Sequence, residues 1–582
     1  MHTEDNQRTH GLDAGDAVFD QSGRYDPTAL RDVFEHHFTY LAGVERNVHR
    51  FATRVAVSEP ATGRSWTYAE FGDAVRRIVG GLFRAGVRAD RLIMAELFNG
   101  PEFAMLYPAA HKLRGIFSPT NFRLAPGEVA YIIDDARPAV LVYDTERTAA
   151  IAEALSFARV APALLVAVGD GERIEGSIGF DELLSADPVT EEELRALEEG
   201  RPPATVYDEV TRLYTSGTTG MPKPVPLPSL VEVMSAHDVI MHFPLSPYDK
   251  TLNMTPLFHR GGLYSGGPNP VLYVGAESVT LRSFDPDVVL DLAESRRLTY
   301  LIGAPATLFR LADAQERRAR DLSSLKGIVT MGAPLDRAAA LRFQRVLTPR
   351  IFNGYGTSET FWNTFLRPED LPDGAGSTGR ASTDDDVAVV HTYPDRLADA
   401  DDLVPKDGRT VGEFATRTVK SGYSYLGNTQ AETEKFRDGW FYPGDLATWD
   451  ENEAVTIVGR KDDMIISGGE NVHPVQIEGA LGEHPGVADS IVVGVPDPEW
   501  GELVAVYVVR HPGGLPADDA EAVAELDGYL GRHPLLARYK RPRLFRFIPA
   551  EEIPFNATGK KVHYLKKREA ADDLAAGRFL SL

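Results

Sequence analysis

Apolar runs that stop at turn residues alternate along this chain with segments whose apolar positions recur every three or four residues. The runs are LIMAELFNG (92–100), PAVLVYD (138–144), LTYLIGAP (298–305), GIVTMGAP (327–334) and PRIFNGYG (349–356). The helical spacing is clearest in TYAEFGDAVRRIVGGLFRAG (67–86) and PDVVLDLAESRRL (286–298). Short apolar runs bounded by glycine and proline fit buried strands, and the longer period fits amphipathic helices. Their alternation predicts an α/β fold with mainly parallel sheets. In such sheets ligands bind outside the carboxyl ends of the strands. Gly332-Ala333-Pro334 and Gly354-Tyr355-Gly356 fall there.

The texture changes twice. Residues 1–26 are polar and poor in hydrophobic residues, and read as an N-terminal extension. From about 385 to 460, short alternating strands such as VAVVHTYP and EAVTIVGR predict a small β subdomain. From 462 onward, SIVVGVPDPEWGELVAVYVV reads as two strands, followed by a helix and the strand LFRFIP. This predicts a large N-terminal domain of several subdomains over 27–461 and a small C-terminal α/β lid over 462–582. A length of 582 residues accommodates roughly four folding units at about 150 residues each.

Composition narrows the function classes. The chain is 43% apolar and 25% charged, and no apolar run approaches the ~20 residues of a membrane span, so membrane insertion is not expected. The start, MHTEDNQRTHGLDAGD, has neither a basic region nor an apolar stretch, so a secretory leader is not expected and a cytoplasmic location is. With no cysteine, disulfides, thiolate metal sites and a cysteine nucleophile are excluded, and any thiol must come from a substrate. The formal charge of −24 argues against a nucleic-acid partner, which needs a basic face. The oligomeric state is left open.

Candidate chemistry concentrates first in LYTSGTTGMPKPVP (213–226). Gly217 and Gly220 let backbone N–H groups approach an anion, Thr215, Ser216, Thr218 and Thr219 add hydroxyls, and Lys223 adds a point charge. This is not a Walker loop, because Met221 and Pro222 separate Gly220 from Lys223. On composition alone a polar linker is the alternative. Arg260, Arg460 and Lys560 stand in similar Gly-rich or Pro-rich surroundings.

Six further strings accompany LYTSGTTGMPK in order: PLFHRGG (256–262), MGAPL (331–335), NGYGTSE (353–359), GWFYPGDLA (439–447), GRKDDMIISGGENVHPVQIE (459–478) and NATGKK (556–561). With them the chain resembles the adenylate-forming superfamily of acyl-CoA synthetases, adenylation domains and luciferases. The resemblance implies two half-reactions. A carboxylate attacks the α-phosphorus of ATP, giving an acyl-adenylate and pyrophosphate, and a thiol then displaces AMP. Preorganised cations and N–H donors would supply most of the catalysis.

Residue by residue, the resemblance implies that Thr215, Ser216, Gly217, Thr218, Thr219, Gly220 and Lys223 cradle the β- and γ-phosphates and that Glu359 helps hold Mg²⁺. Gly332, Ala333, Pro334 and Tyr355 match positions around adenine, within a nucleotide-binding stretch that also includes Asn353, Gly354, Gly356 and Thr357. Asp445 matches the acid on the ribose hydroxyls, and Arg460 a cation on ribose or phosphate. Asp462 matches the hinge of a mobile lid, Gly468 and Gly469 a loop beside the pantetheine of coenzyme A, and Lys560 the lysine that reaches the carboxylate and α-phosphate during adenylation. Lys561 is the rival for that role. His259 matches a gate at the acyl pocket, with a structural histidine as the alternative. The chain departs from the usual pattern at Pro224, Ser358 and Pro443, and the two prolines each remove a backbone donor.

The acid is sought in HRGGLYSGGPNP (259–270). If a helix begins after His259, Gly262 and Gly266 share a face and open room, with Arg260 and Asn269 as polar contacts and Phe361 and Trp362 nearby. These features predict a pocket for an aryl or polar acid, with Arg260 as a surface ion pair the competing reading. The expected enzyme is an ATP- and Mg²⁺-dependent acid–thiol ligase using coenzyme A. The alternatives are a carrier-protein phosphopantetheine acceptor, a non-thiol acceptor such as an amine or, in a diazotase, nitrite, and an inactive nucleotide-binding partner.

Overall fold

The computed structural model describes residues 27–582 apart from 216–221, 334, 394–395, 462, 468–469, 498–499, 534–535, 537–539 and 556–560. The apolar runs form the strands Leu92–Glu96, Val140–Asp144, Tyr300–Gly303, Gly327–Met331 and Ile351–Thr357. The first four are buried along their whole length, as strands of parallel sheets covered on both faces must be. The segment predicted as helix over 67–86 is Tyr68–Arg84. Thr67 caps it: its Oγ1 accepts from Glu70 N, and the Glu70 carboxylate accepts from Thr67 N at 2.8 Å. Phe71, Val75, Ile78 and Leu82 are its buried stripe. The second helix, Pro286–Ser295, starts behind an Asp285 cap.

The large N-terminal domain holds three sheets. A seven-stranded sheet contains Leu92–Glu96 and Val140–Asp144 and ends in the hairpin Glu209–Thr215/Lys223–Pro228. The nine-stranded sheet has a parallel core in the order Ile351–Thr357, Gly327–Met331, Tyr300–Gly303, Lys250–Asn253, Glu277–Val279, Val55–Glu59. Phe361–Leu366 turns back antiparallel on Ile351–Thr357. An antiparallel sheet of Asp385–Val390, Gly412–Thr418, Asp445–Trp449 and Val455–Arg460 forms the small β subdomain.

The smaller C-terminal α/β domain is built on the long hairpin Val487–Asp497/Gly501–Arg510, with Leu544–Phe547 parallel to its second strand. Alternation along the hairpin feeds two cores. Val492, Val504, Val506 and Val508 face one side, and Ile491, Val493, Ala505 and Tyr507 the other. Asp462, the expected hinge, lies outside the described residues between Val455–Arg460 and Ile465–Ser467.

A helix does begin after His259, Arg260–Tyr264, and it ends before Pro268, which starts a second helix, Pro268–Val274, at its first position, where a missing N–H costs nothing. One local expectation is corrected. Gly262 and Gly266 do not open a pocket. A Cβ on Gly262 would collide with the Pro256 carbonyl, and one on Gly266, which has φ +70°, would lie 2.8 Å from Ile302 Cδ1. These glycines permit close packing and a tight turn.

Candidate active site

The hairpin that ends the seven-stranded sheet carries the residues expected at the phosphates. Thr215 and Lys223 face each other across it, while Ser216, Gly217, Thr218, Thr219 and Gly220 between them lie outside the described residues. Lys223–Pro228 is the edge strand, where proline disturbs no inner ladder. The Pro224 carbonyl accepts from Leu426 N at 3.2 Å. This contact brings in a residue that the motifs did not single out. The Tyr425 ring lies 5.4 Å from Lys223 Nζ, and its Oη donates to Glu359 Oε1 at 2.6 Å. Burial first, and then the Glu359 charge, push the Tyr425 phenol up, so it remains a donor. Lys223, Tyr425 and Glu359 thus form a row of cation, ring and acid.

The residues expected at the nucleoside gather where the small β subdomain meets the strand Ile351–Thr357. Asp445 and Arg460 are opposite each other in an antiparallel pair. Arg460 Nη1 donates to Asp445 Oδ1 at 2.8 Å, and Tyr355 Oη donates to Asp445 Oδ2 at 2.5 Å. The Tyr355 ring packs edge-on against Phe414, 5.0 Å between centroids. Gly332 follows the strand Gly327–Met331 at φ +85°, a backbone conformation for which glycine is suited. Ala333 adjoins it, and Pro334 lies outside the described residues. Asn353 is buried, and the Thr357 hydroxyl accepts from Glu359 N and Thr360 N. Lys435 Nζ donates to the Pro443 carbonyl at 3.1 Å, tying down the turn before Asp445.

The acid side differs from expectation. His259 occupies the N-cap position of Arg260–Tyr264, and its ring lies tilted against Phe258, 4.2 Å between centroids. Arg260, expected to contact substrate, is buried. It donates from Nη1 to Ser358 O at 2.5 Å and from Nη2 to Lys420 O at 2.7 Å. Its charge is spent on protein carbonyls, which corrects both the substrate reading and the surface-pair alternative. Asn269, also expected at the substrate, is fully buried. Its Nδ2 donates to Glu232 Oε2 at 2.8 Å and Tyr107 Oη at 3.0 Å, and Tyr264 Oη donates to the same glutamate at 2.6 Å. Burial pushes Glu232 up. Phe361 and Trp362 are buried and stacked, 4.9 Å apart at 12°.

Beneath them lies a charge cluster that the motifs also miss. Lys420 is 1% exposed, and its Nζ meets Asp238 Oδ2 at 2.9 Å, Asp385 Oδ1 at 3.2 Å and Trp362 O at 2.6 Å. Burial pushes Asp385 up to about 6 against the pull of Lys420. Burial also opposes the charge on Asp238, but Lys420 and His242 outweigh it and hold Asp238 low.

In the small domain, Lys560, Gly468, Gly469 and Asp462 lie outside the described residues. Lys561, the rival of Lys560, is held by Asp489 at 2.7 Å and Glu478 at 3.6 Å, so its ammonium is engaged within that domain.

The chain matches the AMP-binding enzyme family over residues 44–418 and the AMP-binding enzyme C-terminal domain over 476–560. It is 33% identical over 501 residues to an indoleacetate–CoA ligase of Aromatoleum aromaticum, covering 85% of this chain and 92% of that protein. It is 30% identical over 531 residues to a long-chain-fatty-acid–CoA ligase of Thermus thermophilus, covering 89% and 93%. Among solved structures it resembles the anthranilate CoA ligase AuaEII in complex with anthranoyl-AMP, with a TM-score of 0.80, 25% identity and 93% and 98% of the two chains covered. Matched through both domains, this protein is a member of the AMP-binding enzyme family, an adenylate-forming enzyme that uses ATP to activate an acid.

Proposed function

We propose that the protein is an AMP-forming acid–CoA ligase for an aryl or polar acid. The observation that carries this reading is the presence of two arrays of complementary chemistry. Lys223, Tyr425 and Glu359 suit a polyphosphate, and Tyr355, Asp445 and Arg460 suit a nucleoside. Glu359 suits Mg²⁺, which binds through one or two carboxylates and takes its remaining ligands from phosphates and water. Among the described residues no group of three or more potential metal ligands offers a self-contained cage. When bound, the ion would neutralise phosphate charge during displacement.

In the first half-reaction the acid's carboxylate oxygen bonds to the α-phosphorus as the bond to pyrophosphate breaks. Lys223 faces the leaving phosphates, and Asp445 orients the ribose through its acceptor oxygens. Arg460, already aligned by Asp445, stands beside the nucleotide. Lys560 would approach the carboxylate and α-phosphate when the small domain closes, and Gly468 and Gly469 would face the incoming thiol after the domain turns about Asp462. In the second half-reaction the thiol sulfur attacks the acyl carbon and AMP leaves. No protein nucleophile is needed, in keeping with a chain that has no cysteine.

The relatives are ligases of acids as different as indoleacetate and long-chain fatty acids, so kinship does not fix the acid class. ATP–pyrophosphate exchange across a panel of aryl, polar and fatty acids tests the first half-reaction, and coenzyme A consumption with the best acid tests the second. Exchange without thioester would direct the search to a carrier-protein phosphopantetheine, an amine or nitrite. No exchange with any acid would overturn the proposal. No helix among the described residues is long and apolar enough to cross a membrane.

A further inference from the structure

Glu359 lies in the three-residue connection between the antiparallel strands Ile351–Thr357 and Phe361–Leu366. Connections of this length commonly close on a left-handed residue, a place suited to glycine. Here that residue is Phe361, at φ +61°, and a bulky side chain persists in this conformation only where its surroundings over-determine it. The turn is therefore held from outside, and the holders converge on the backbone of Glu359.

The peptide unit that joins Ser358 to Glu359 is gripped at both polar ends. Its carbonyl oxygen, Ser358 O, accepts from Arg260 Nη1 at 2.5 Å. Its N–H, that of Glu359, donates to Thr357 Oγ1 at 3.2 Å. A peptide unit is planar, so holding both ends fixes the plane from which the Glu359 side chain departs. The carboxylate is then steadied separately by Tyr425 Oη on Oε1.

Arg260 is a costly group to bury for this purpose. It is 4% exposed, and its guanidinium lies 5.3 Å from the Tyr264 ring and 5.6 Å from the Phe361 ring. Among the described residues it makes no ion pair, so its charge rests on carbonyls and aromatic faces. Burying a cation in this way is unfavourable, and well-packed apolar side chains of similar volume often replace buried charge at no loss of stability. The guanidinium supplies what an apolar chain lacks, two donors in a rigid fork. One takes Ser358 O and the other takes Lys420 O at 2.7 Å. Lys420 extends the anchor past Phe361, because its Nζ donates to Trp362 O at 2.6 Å while seated between Asp238 and Asp385.

We propose that Arg260 is a positioning residue for the phosphate-side acid: by holding the Ser358 carbonyl it fixes the peptide from which Glu359 projects, and so sets how strongly Mg²⁺ promotes ATP binding. The inference rests on the ATP-dependent reading above, in which Glu359 holds Mg²⁺, and deepens it. It separates Arg260 from the activated acid, since a residue acting through Glu359 alters the response to Mg²⁺ and leaves acid affinity alone.

The test compares wild type with Arg260→Met, Arg260→Lys, Thr357→Val, Glu359→Gln and the Arg260→Met/Glu359→Gln double variant. Calorimetry gives ATP affinity in Mg²⁺ and in EDTA, and pyrophosphate exchange gives half-saturating Mg²⁺ and the KM of the acid. Arg260→Met is expected to lose about 10- to 100-fold of the ATP affinity that Mg²⁺ confers, the usual effect of removing a group that orients a metal ligand. Its ATP affinity in EDTA and its acid KM should stay within about 2-fold of wild type. Arg260→Lys should recover part of the Mg²⁺ response, because an ammonium can still reach one carbonyl, and loss of folding would produce no such rescue. Thr357→Val, which frees the other end of the same peptide unit, should weaken the response in the same direction and keeps the question open to measurement if Arg260→Met does not fold. In the Glu359→Gln background Arg260→Met should add less than about 2-fold, since residues acting through one group are not additive. A Mg²⁺ response unchanged in both Arg260→Met and Arg260→Lys, a full further loss in the double variant, or a raised acid KM with the Mg²⁺ response intact overturns the proposal. If wild type exchanges with no acid, the acid-activating reading fails while the calorimetric arms still decide the role of Arg260. If wild-type ATP affinity is the same in Mg²⁺ and in EDTA, the metal role of Glu359 fails and this proposal fails with it.

Discussion

Replacing Asp445 with asparagine separates binding of the nucleotide from stability of the fold. The carboxylate accepts from Tyr355 Oη on one oxygen and from Arg460 on the other, so each oxygen has one further lone pair to offer a ribose hydroxyl. Asparagine keeps the shape but removes the charge and converts one acceptor into a donor. A hydrogen bond to a charged group is worth about 1.5–3 kcal/mol. Losing one such bond to ribose weakens ATP binding by roughly 10- to 150-fold. The folded state loses less, because the asparagine oxygen can still accept from Tyr355 Oη and the Arg460 side chain, about one-third exposed (34%), can turn to water. Calorimetric titration with ATP, alongside thermal unfolding of the apo protein, reads both quantities. ATP affinity within about 2-fold of wild type would refute the ribose assignment. Equal losses of affinity and of apo stability would mean that Asp445 acts only as a strut.

Three further outcomes follow from other parts of the site. Tyr425→Phe keeps the ring beside Lys223 but deletes the bond to Glu359; KM for Mg·ATP should rise about 10-fold, as expected for one bond to a charged group, and an unchanged Mg²⁺ titration would dissociate Tyr425 from that acid. Lys560→Ala should lower pyrophosphate exchange by about 10²–10³ and spare thioester formation from supplied acyl-adenylate, whereas equal damage to both steps would remove its selective role. Burial disfavours the charged form of His563, but its bond to Glu478 at 2.7 Å and the nearby acids outweigh this and raise its pKa above the ordinary 6.5. Burial also opposes the charge on Glu478, and His563 and Lys561 outweigh it and lower that pKa below 4.5. The histidine's contribution is complete below its ordinary pKa and fades as pH rises through the raised one; the glutamate's is complete above its ordinary pKa and fades as pH falls through the lowered one. The Tm gap between wild type and His563→Gln should therefore be widest between those ordinary values and shrink on alkalinisation. A gap independent of pH would place no charge on this pair.

The parts of the molecule legible in one sequence are those whose cause is local. Continuous apolar runs announced the strands Val140–Asp144 and Gly327–Met331, because a strand covered on both faces needs no polar alternation. Apolar residues at three- and four-residue spacing over 67–86 announced the helix Tyr68–Arg84, because an amphipathic stripe is written within each turn. Motif strings marked Lys223, Glu359, Asp445 and Arg460, and folding brings them into two adjacent arrays. What failed was whatever depended on a distant partner. Arg260 looked like a free cation because its acceptors, Ser358 O and Lys420 O, stand 98 and 160 residues away. Asn269 looked like a polar pocket contact because Glu232 lies 37 residues back, inside a helix whose sequence does not mark it as buried.

The same distinction bears on why acid class is the hardest property to read from this chain. Activation of any carboxylate needs the same phosphate, ribose and adenine contacts, and these recur as short strings with a local shape. Selection among acids needs only a wall at the right depth, and a wall can be held by any remote groups that fix its backbone. Here Phe361 and Trp362 are visible in the sequence as an aromatic pair after Glu359, but nothing near them reports that Phe361 is left-handed. That conformation, and with it the placement of the indole over Gly354, depends on Lys420, which arrives with Asp238 and Asp385 from two other elements. A buried cation among two acids is costly to assemble and is destabilised strongly if one partner is removed. Its position against the Trp362 carbonyl gives that cost a structural return: a backbone carbonyl fixed by a buried ammonium cannot drift without uncovering charge.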